Sequence, residues 1–175
     1  MLRVTSRVIM AGVCALLWGT PAAVAGAQAT ATSELEKLRN QFVGSYRLAW
    51  YKNYDAAGHE TTLPYASGQI SFDRAGRMSV FLVGRDRARF GGNSQSESER
   101  AAAYASFTSY FGGYDIDPAK RSITYHVEGA LNPALTGTDL TRYFEFTNGG
   151  ATLFLTIKEG DRVVGRLQWD KYVAK

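Results

Sequence analysis

The feature that most limits how this chain can fold is a succession of short alternating runs separated by tight turns. Asp73–Arg77, Asp117–Arg121 and Asn148–Gly150 each separate two runs in which apolar and polar residues alternate. Side chains alternate between two faces along a strand, and Gly, Asn and Asp suit the backbone of tight turns. The pattern therefore predicts sequential hairpins, which are typical of an antiparallel meander or barrel.

The alternating runs number about eight or nine, and they are rich in the aromatic and β-branched residues that favour strands. In the first run, Tyr46, Leu48 and Trp50 occupy alternate positions and are expected to share one face. The predicted strands cover residues 46–50, 69–72, 78–83, 113–116, 122–128, 139–146, 151–157 and 162–169.

One segment breaks the period of two. Ser96 and Glu99 match a capping box, in which each side chain bonds the other residue's backbone N–H. The alanine-rich stretch Ala101–Phe111 follows, and Gly112 comes where a helix end favours positive φ. The aromatic residues of the stretch are three and four positions apart, namely Tyr104, Phe107 and Phe111. The pattern predicts an amphipathic helix that packs an aromatic stripe on the barrel or, alternatively, closes a cavity as a lid.

The first residues have the features of a secretory signal peptide. Arg3 and Arg7 precede the apolar run Val8–Gly19, and small residues then lead to a cleavage site expected after Ala27, with Ala25 and Ala29 as the alternatives. The run is shorter than the roughly 20 residues that a spanning helix requires, which disfavours a membrane anchor. We therefore expect an exported protein, periplasmic or secreted. The predicted organisation is a signal peptide at 1–27, a short helical lead-in at 28–41 and a barrel domain at 42–175.

Removing this segment changes what the composition implies. The chain has 20 basic and 16 acidic residues, a net charge of +4, and loss of Arg3 and Arg7 leaves 18 against 16, or +2. No basic stripe remains, which argues against nucleic-acid binding. The single cysteine, Cys14, also leaves, so the exported domain would have no disulfide. His59 and His126 lack metal-ligand spacing and no cofactor motif appears, so neither a metal site nor a cofactor is predicted.

A set of short motifs, in order along the chain, resembles a known family. The most specific of them is Ile123–Glu128, with sequence ITYHVE. The others are Phe42–Leu48, Gly68–Phe72, Gly76–Ser79, Arg87 with Phe90, Tyr110–Tyr114, Pro133, Gly137, Arg142 and Leu167–Trp169. Together they resemble the bacterial and fungal lipocalin-like domain family, although Tyr46 stands where the family more often has Trp. The resemblance implies an all-β fold, an antiparallel lipocalin-like barrel of about eight to nine strands with one inserted amphipathic helix.

Three polar residues on predicted strands are the first candidates for a site. His126 and Glu128 alternate on one strand face, and Arg142 shares its face with apolar residues. A buried guanidinium needs an acidic or carbonyl partner, which His126 or Glu128 would supply across a barrel. The group is then an internal ion pair, a polar anchor for a ligand, or a general acid–base pair formed by His126 and Glu128.

The remaining candidates are aromatic residues and one basic loop. Tyr46, Trp50, Tyr125 and Trp169 lie on predicted strands, where they either fill the core or contact a ligand. Arg87 belongs to an alternating trio with Arg85 and Arg89, which is either a solvated loop or a cationic rim that attracts an acidic ligand. These are the candidate ligand-binding residues besides His126, Glu128 and Arg142.

The sequence favours a non-enzymatic exported protein that binds a small apolar or carboxylate-bearing molecule in a barrel cavity. The alternative is an isomerase or cyclase that uses His126, Glu128 and Arg142. A third interpretation, an outer-membrane barrel, is disfavoured by the short predicted strands and the inserted helix.

Overall fold

The computed structural model of the protein describes residues 22–61, 65–92 and 95–173, with side chains from residue 32 onward. Most of the predicted signal peptide, residues 1–21, lies outside the described residues. Among the helices that are described, none combines the length and the apolar character needed to cross a bilayer.

In the described ranges the chain forms two helices, nine strands and two short 3₁₀ turns. The helices are α1 (Ala22–Phe42) and α2 (Glu97–Ala105). The strands are β1 (Gly44–Tyr54), β2 (Glu60–Thr61), β3 (Tyr65–Phe72), β4 (Arg77–Gly84), β5 (Phe107–Asp117), β6 (Ser122–Ala130), β7 (Asp139–Thr147), β8 (Thr152–Glu159) and β9 (Arg162–Lys171). Several strands are longer than predicted, with 11 residues in both β1 and β5.

The strands form one closed antiparallel barrel. Each strand from β3 to β8 pairs with the next, and β1 pairs with both β3 and β9. The β1–β9 pairing closes an eight-strand barrel, while β2 adds a two-residue strand beside β1. This confirms the predicted all-β antiparallel barrel of eight to nine strands with an inserted helix.

The predicted turns are present, and their backbone angles explain the residues found there. Asn148, Gly149 and Gly150 have φ angles of 51°, 64° and 94°, a region that glycine and asparagine tolerate best. In the β3–β4 turn, the Arg77 N–H donates to the Asp73 carboxylate at 2.8 Å. Local turn chemistry therefore fixes these hairpins.

A β-bulge in β1 overturns the prediction that Trp50 shares a face with Tyr46 and Leu48. The register of β1 against β9 shifts between Leu48 and Trp50. One extra residue reverses the alternation beyond it. Trp50 consequently faces outward, with its ring 6.0 Å from that of Phe154, and Tyr51 faces the barrel interior.

The inserted helix is shorter than predicted. Its capping box is present, since the Glu99 N–H donates to Ser96 Oγ at 3.2 Å and the Ser96 N–H donates to the Glu99 carboxylate at 2.7 Å. The helix ends at Ala105, however, because residues from Phe107 onward pair with β4. Gly112 is a strand residue and not a helix cap, and a Cβ there would collide with the His126 carbonyl oxygen.

One end of the barrel is closed by helix α1 and a cluster of phenylalanines. The ring of Phe42, the last residue of α1, lies 5.2, 5.0 and 4.8 Å from the rings of Phe72, Phe144 and Phe146, all edge-on or nearly so. We call these four residues the phenylalanine cap. Tyr46 lies beside them, fully buried, and its hydroxyl donates to the Gln41 carbonyl at 2.8 Å.

Candidate functional site

The other half of the barrel interior contains a cavity of about 180 Å³. Its wall is mostly aliphatic, with four tyrosines and one arginine among the described residues. We call it the tyrosine cavity, after Tyr51, Tyr65, Tyr110 and Tyr125, which line it together with Arg142. The remaining lining residues are Ile70, Val80, Leu82, Thr108, Leu135, Leu140, Leu155, Ile157, Leu167 and Trp169.

Strand alternation brings the four tyrosines to the cavity as two pairs. Tyr51 and Tyr65 stack with their rings 5.8 Å apart and 8° from parallel. The rings of Tyr110 and Tyr125, on the paired strands β5 and β6, lie 6.3 Å apart. The Tyr65 hydroxyl is 2.7 Å from the hydroxyl oxygen of Thr108 and hydrogen bonds to it. The aromatic wall is thereby held by contacts between neighbouring side chains.

Arg142 is the one charged residue in the described wall of the cavity. It lies on β7, where Leu140 and Phe144 share its inward face. Its guanidinium carbon is 5.9 Å from the centre of the Tyr125 ring, and its Nη1 donates to the Thr141 carbonyl at 2.9 Å. The wall therefore combines an apolar interior with a single half-buried cation.

Burial keeps three of the cavity tyrosines protonated. Loss of hydration raises the pKa of Tyr51, Tyr110 and Tyr125, and the positive charge of Arg142 offsets part of that rise at each of them. A tyrosine with a raised pKa is a neutral hydroxyl at physiological pH. The wall thus offers hydrogen-bond donors and one cation but no negative charge of its own.

Two polar atoms near the cavity have no hydrogen-bond partner within the described part of the chain. They are the Tyr125 hydroxyl and Trp169 Nε1, both buried. Buried polar groups normally have hydrogen-bond partners. The two unpartnered atoms therefore indicate that this part of the interior is not packed for stability alone.

The size of the cavity limits what it can hold. Apolar cavities of about 150 Å³ accept benzene, whereas pockets for drug-sized ligands occupy about 300–1,000 Å³. At about 180 Å³, the tyrosine cavity suits a single ring or a short chain.

His126 and Glu128 do not face the cavity, so the prediction that they pair with Arg142 across the barrel is wrong. On β6 the inward positions belong to Tyr125 and Val127, and the alternate residues point outward. His126 lies between two aspartates, with Nδ1 2.7 Å from Asp139 and Nε2 3.0 Å from Asp115.

Glu128 is likewise engaged on the outer surface, where its carboxylate pairs with the Arg77 guanidinium. Because neither His126 nor Glu128 faces the interior, the hypothesis that they form a general acid–base pair within the barrel is wrong. The described wall of the cavity contains no His, Asp or Glu to replace them.

The other predicted site residues divide between the cavity and the rest of the molecule. Tyr125 and Trp169 line the cavity. Tyr46 belongs to the closed end and Trp50 to the outer surface. Arg87 also lies outside, over the Phe107 ring at 5.2 Å and donating to the Ala103 carbonyl at 3.2 Å. Helix α2 contributes no residue to the described cavity wall and has no buried residue. The predicted aromatic stripe is absent from it, because Tyr104 is exposed and Phe107 and Phe111 lie on β5.

Three cavity tyrosines were missed by sequence reasoning. Tyr110 could have been found from the period of two in its segment. Thr108, Tyr110, Gly112 and Tyr114 alternate with Phe107, Ser109 and Phe111, as the two faces of a strand would. Tyr51 is concealed by the β1 bulge, and Tyr65 stands apart from the predicted strand at 69–72. Among the described residues, no group of three His, Cys, Asp or Glu is placed to hold a metal ion.

Comparison with known proteins identifies the family. The family model described as a lipocalin-like domain matches residues 43–172. The comparison with curated proteins gave no match. One similar solved structure is the crystal structure of the fluorescent protein UnaG N57A mutant, at 12% identity and a TM-score of 0.37, covering 77% of this chain and 99% of that one.

Proposed function

The chain belongs to the lipocalin-like domain family, and from that premise we propose that it is an exported protein that binds one small apolar or amphipathic molecule in the tyrosine cavity. Eight-strand barrels are about large enough to enclose one small ligand. Family membership by itself does not select a function, so the proposal depends on the cavity.

The observation that carries the proposal is the contrast between the cavity wall and a packed core. A core of this size normally closes to native density, because each void lowers stability. Here the interior keeps about 180 Å³ and surrounds it with aromatic rings, hydroxyls and one cation. Apolar walls with a few placed polar groups are the usual composition of a small-molecule site.

Binding is favoured over acid–base catalysis by the titratable groups available. The described wall has proton donors, the tyrosine hydroxyls, but no side chain that accepts a proton near neutral pH. General acid–base isomerisation needs a positioned base. A binding role requires no such group.

Export is proposed from the N-terminal sequence. Arg3, Arg7 and the run Val8–Gly19 support a signal peptide that is removed after Ala27. Intact mass measurement of protein recovered from the periplasm or medium tests it. We expect a chain that begins at Gln28, and retention of the full-length chain in the cytoplasm would contradict export.

Tryptophan fluorescence tests binding, because the two tryptophans after residue 27 occupy different places. Trp169 lines the cavity and Trp50 faces outward. In a Trp50→Phe variant, titration with toluene, benzyl alcohol or hexanoate is expected to change Trp169 emission in a saturable way. The matched Trp169→Phe variant, which reports from Trp50, should show no such change.

The proposal fails if no probe gives a saturable change and no small molecule accompanies the natively purified protein in mass spectrometry. Equal responses in the two tryptophan variants would also contradict it, because they would place the ligand outside the cavity.

A further inference from the structure

The tyrosine cavity holds a cation without an anion, and this imbalance points to a class of ligand. We propose that the cavity binds a small monocarboxylate, about one ring in size, whose oxygens accept hydrogen bonds from Arg142 and the neighbouring tyrosine hydroxyls. This ligand class rests on the proposed function and narrows it from small apolar or amphipathic molecules to small carboxylates.

The surroundings of Arg142 differ from those of the arginines that make ion pairs outside the cavity. Five of the described arginines do so, namely Arg39 with Glu36, Arg47 with Asp170, Arg77 with Glu128, Arg162 with Glu159 and Arg166 with Glu145. Arg142 instead donates to the Thr141 carbonyl, and the described cavity wall contains no acidic residue. A charge in apolar surroundings is unfavourable unless it is paired. A carboxylate ligand would supply the missing partner.

The tyrosines supply the further donors that a bound carboxylate requires. A carboxylate has about four lone-pair sites, and a guanidinium and hydroxyl groups can satisfy them together. Arg142 lines the cavity together with Tyr51, Tyr110 and Tyr125, and its guanidinium carbon is 5.9 Å from the centre of the Tyr125 ring. Its positive charge also offsets part of the rise that burial causes in the pKa of each of these tyrosines. Arg142 and these hydroxyls therefore form one polar corner in an otherwise aliphatic cavity.

The charge and the volume of the cavity each set a limit on the ligand. A single guanidinium matches a single negative charge, so a dianion would keep one charge unpaired among apolar side chains. A neutral ligand would leave Arg142 without its partner. The volume of about 180 Å³ leaves room for a carboxylate on one ring or one short chain, and excludes larger lipids.

A comparison of isosteric probes tests the ligand class without altering the binding site. Benzoate and benzamide have nearly the same shape and differ in charge. In the Trp50→Phe protein we expect benzoate to bind roughly 10- to 100-fold more tightly than benzamide, the range expected for hydrogen bonds to a charged group. Phenylphosphonate, which carries more charge, should bind more weakly than benzoate.

An Arg142→Met substitution in the same background locates the charge effect. We expect it to remove the preference for benzoate, so that the affinities for benzoate and benzamide come within about threefold of each other. Arg142→Lys, which keeps the charge but loses the guanidinium fork, should retain part of the preference. Thermal unfolding of each variant confirms that it is folded.

The outcomes separate this inference from the proposed function. Equal affinity for benzoate and benzamide, with Arg142 intact, would overturn the carboxylate assignment and leave the binding function standing. A benzoate preference that survives Arg142→Met would also overturn it. Absence of saturable binding by every neutral and charged probe would overturn both.

Discussion

The two ends of the barrel interior are built from the same class of side chain but in different ways. At the closed end, three rings of the phenylalanine cap pack around the fourth, Phe42, at centroid distances near 5 Å. At the other end, four tyrosines and Arg142 surround an open volume of about 180 Å³. Aromatic content alone therefore does not identify a core: edge-on phenylalanine rings fill space at one end, whereas tyrosines with hydroxyl groups line a cavity at the other.

The largest expected effect comes from opening the packed end. Phe42→Ala removes a fully buried ring that touches three others. We expect the free energy of unfolding to fall by about 3–5 kcal/mol, as measured by chemical denaturation. The matched change in the cavity, Tyr110→Phe, keeps the ring and should cost far less. A loss below about 1 kcal/mol for Phe42→Ala would refute the structural role assigned to the cap.

Replacement of Arg142 should separate stability from binding. Arg142→Met exchanges a half-buried cation for a flexible apolar side chain in an apolar wall. We expect the free energy of unfolding to stay level or to rise by up to about 1 kcal/mol, while benzoate affinity falls roughly 10-fold or more. A loss of several kcal/mol in denaturant titration would instead make Arg142 a structural residue.

Deleting one hydroxyl at each end gives a sharper comparison. The Tyr46 hydroxyl donates to the Gln41 carbonyl at 2.8 Å, whereas the buried Tyr125 hydroxyl has no described partner. Tyr46→Phe should lower the free energy of unfolding by about 1 kcal/mol, and Tyr125→Phe should leave it unchanged or raise it slightly. The two ends would be energetically alike if both substitutions had equal effects on the melting temperature.

The smallest effect is expected on the outer surface at His126. Hydrogen bonds to Asp139 and then Asp115 raise the pKa of His126 in the folded protein. Its stabilising contribution is therefore complete below the pKa that a histidine has in the unfolded chain, about 6.5. The contribution is lost as pH rises through the higher pKa that His126 has in the folded protein. Because the side chain is about half exposed, we expect the change to be less than about 1 kcal/mol.

The control for this effect is ligand affinity. His126 points away from the cavity, so His126→Gln should remove the contribution of His126 to the pH dependence of stability and leave benzoate binding as it was. A parallel loss of binding would indicate that the outer surface and the cavity are coupled.

The sequence predicts the hairpins well because the information that sets them is local. The Asp73–Arg77 and Asn148–Gly150 turns carry residues whose backbone preferences determine the connection. Barrel closure by β1 and β9 is a pairing between distant segments, and the family resemblance was needed to anticipate it.

The candidate site was harder to predict, for reasons visible in particular residues. Arg142 was identified because a charge on an apolar strand face is conspicuous. The prediction that His126 and Glu128 face the interior is wrong because Ile123, Tyr125 and Val127 occupy the buried face of the strand. The β1 bulge turns Tyr51 and not Trp50 toward the interior, and the sequence around it carries no local pattern that predicts a bulge.

The most direct test of the contrast between the two ends is a chemical-shift map of the labelled protein titrated with benzoate. We predict perturbations at the Arg142 guanidinium, the Trp169 indole N–H and the Tyr110 ring, with none at Phe42, Phe144 or His126. Perturbations centred on the phenylalanine cap or on the outer surface of β6 would contradict the account.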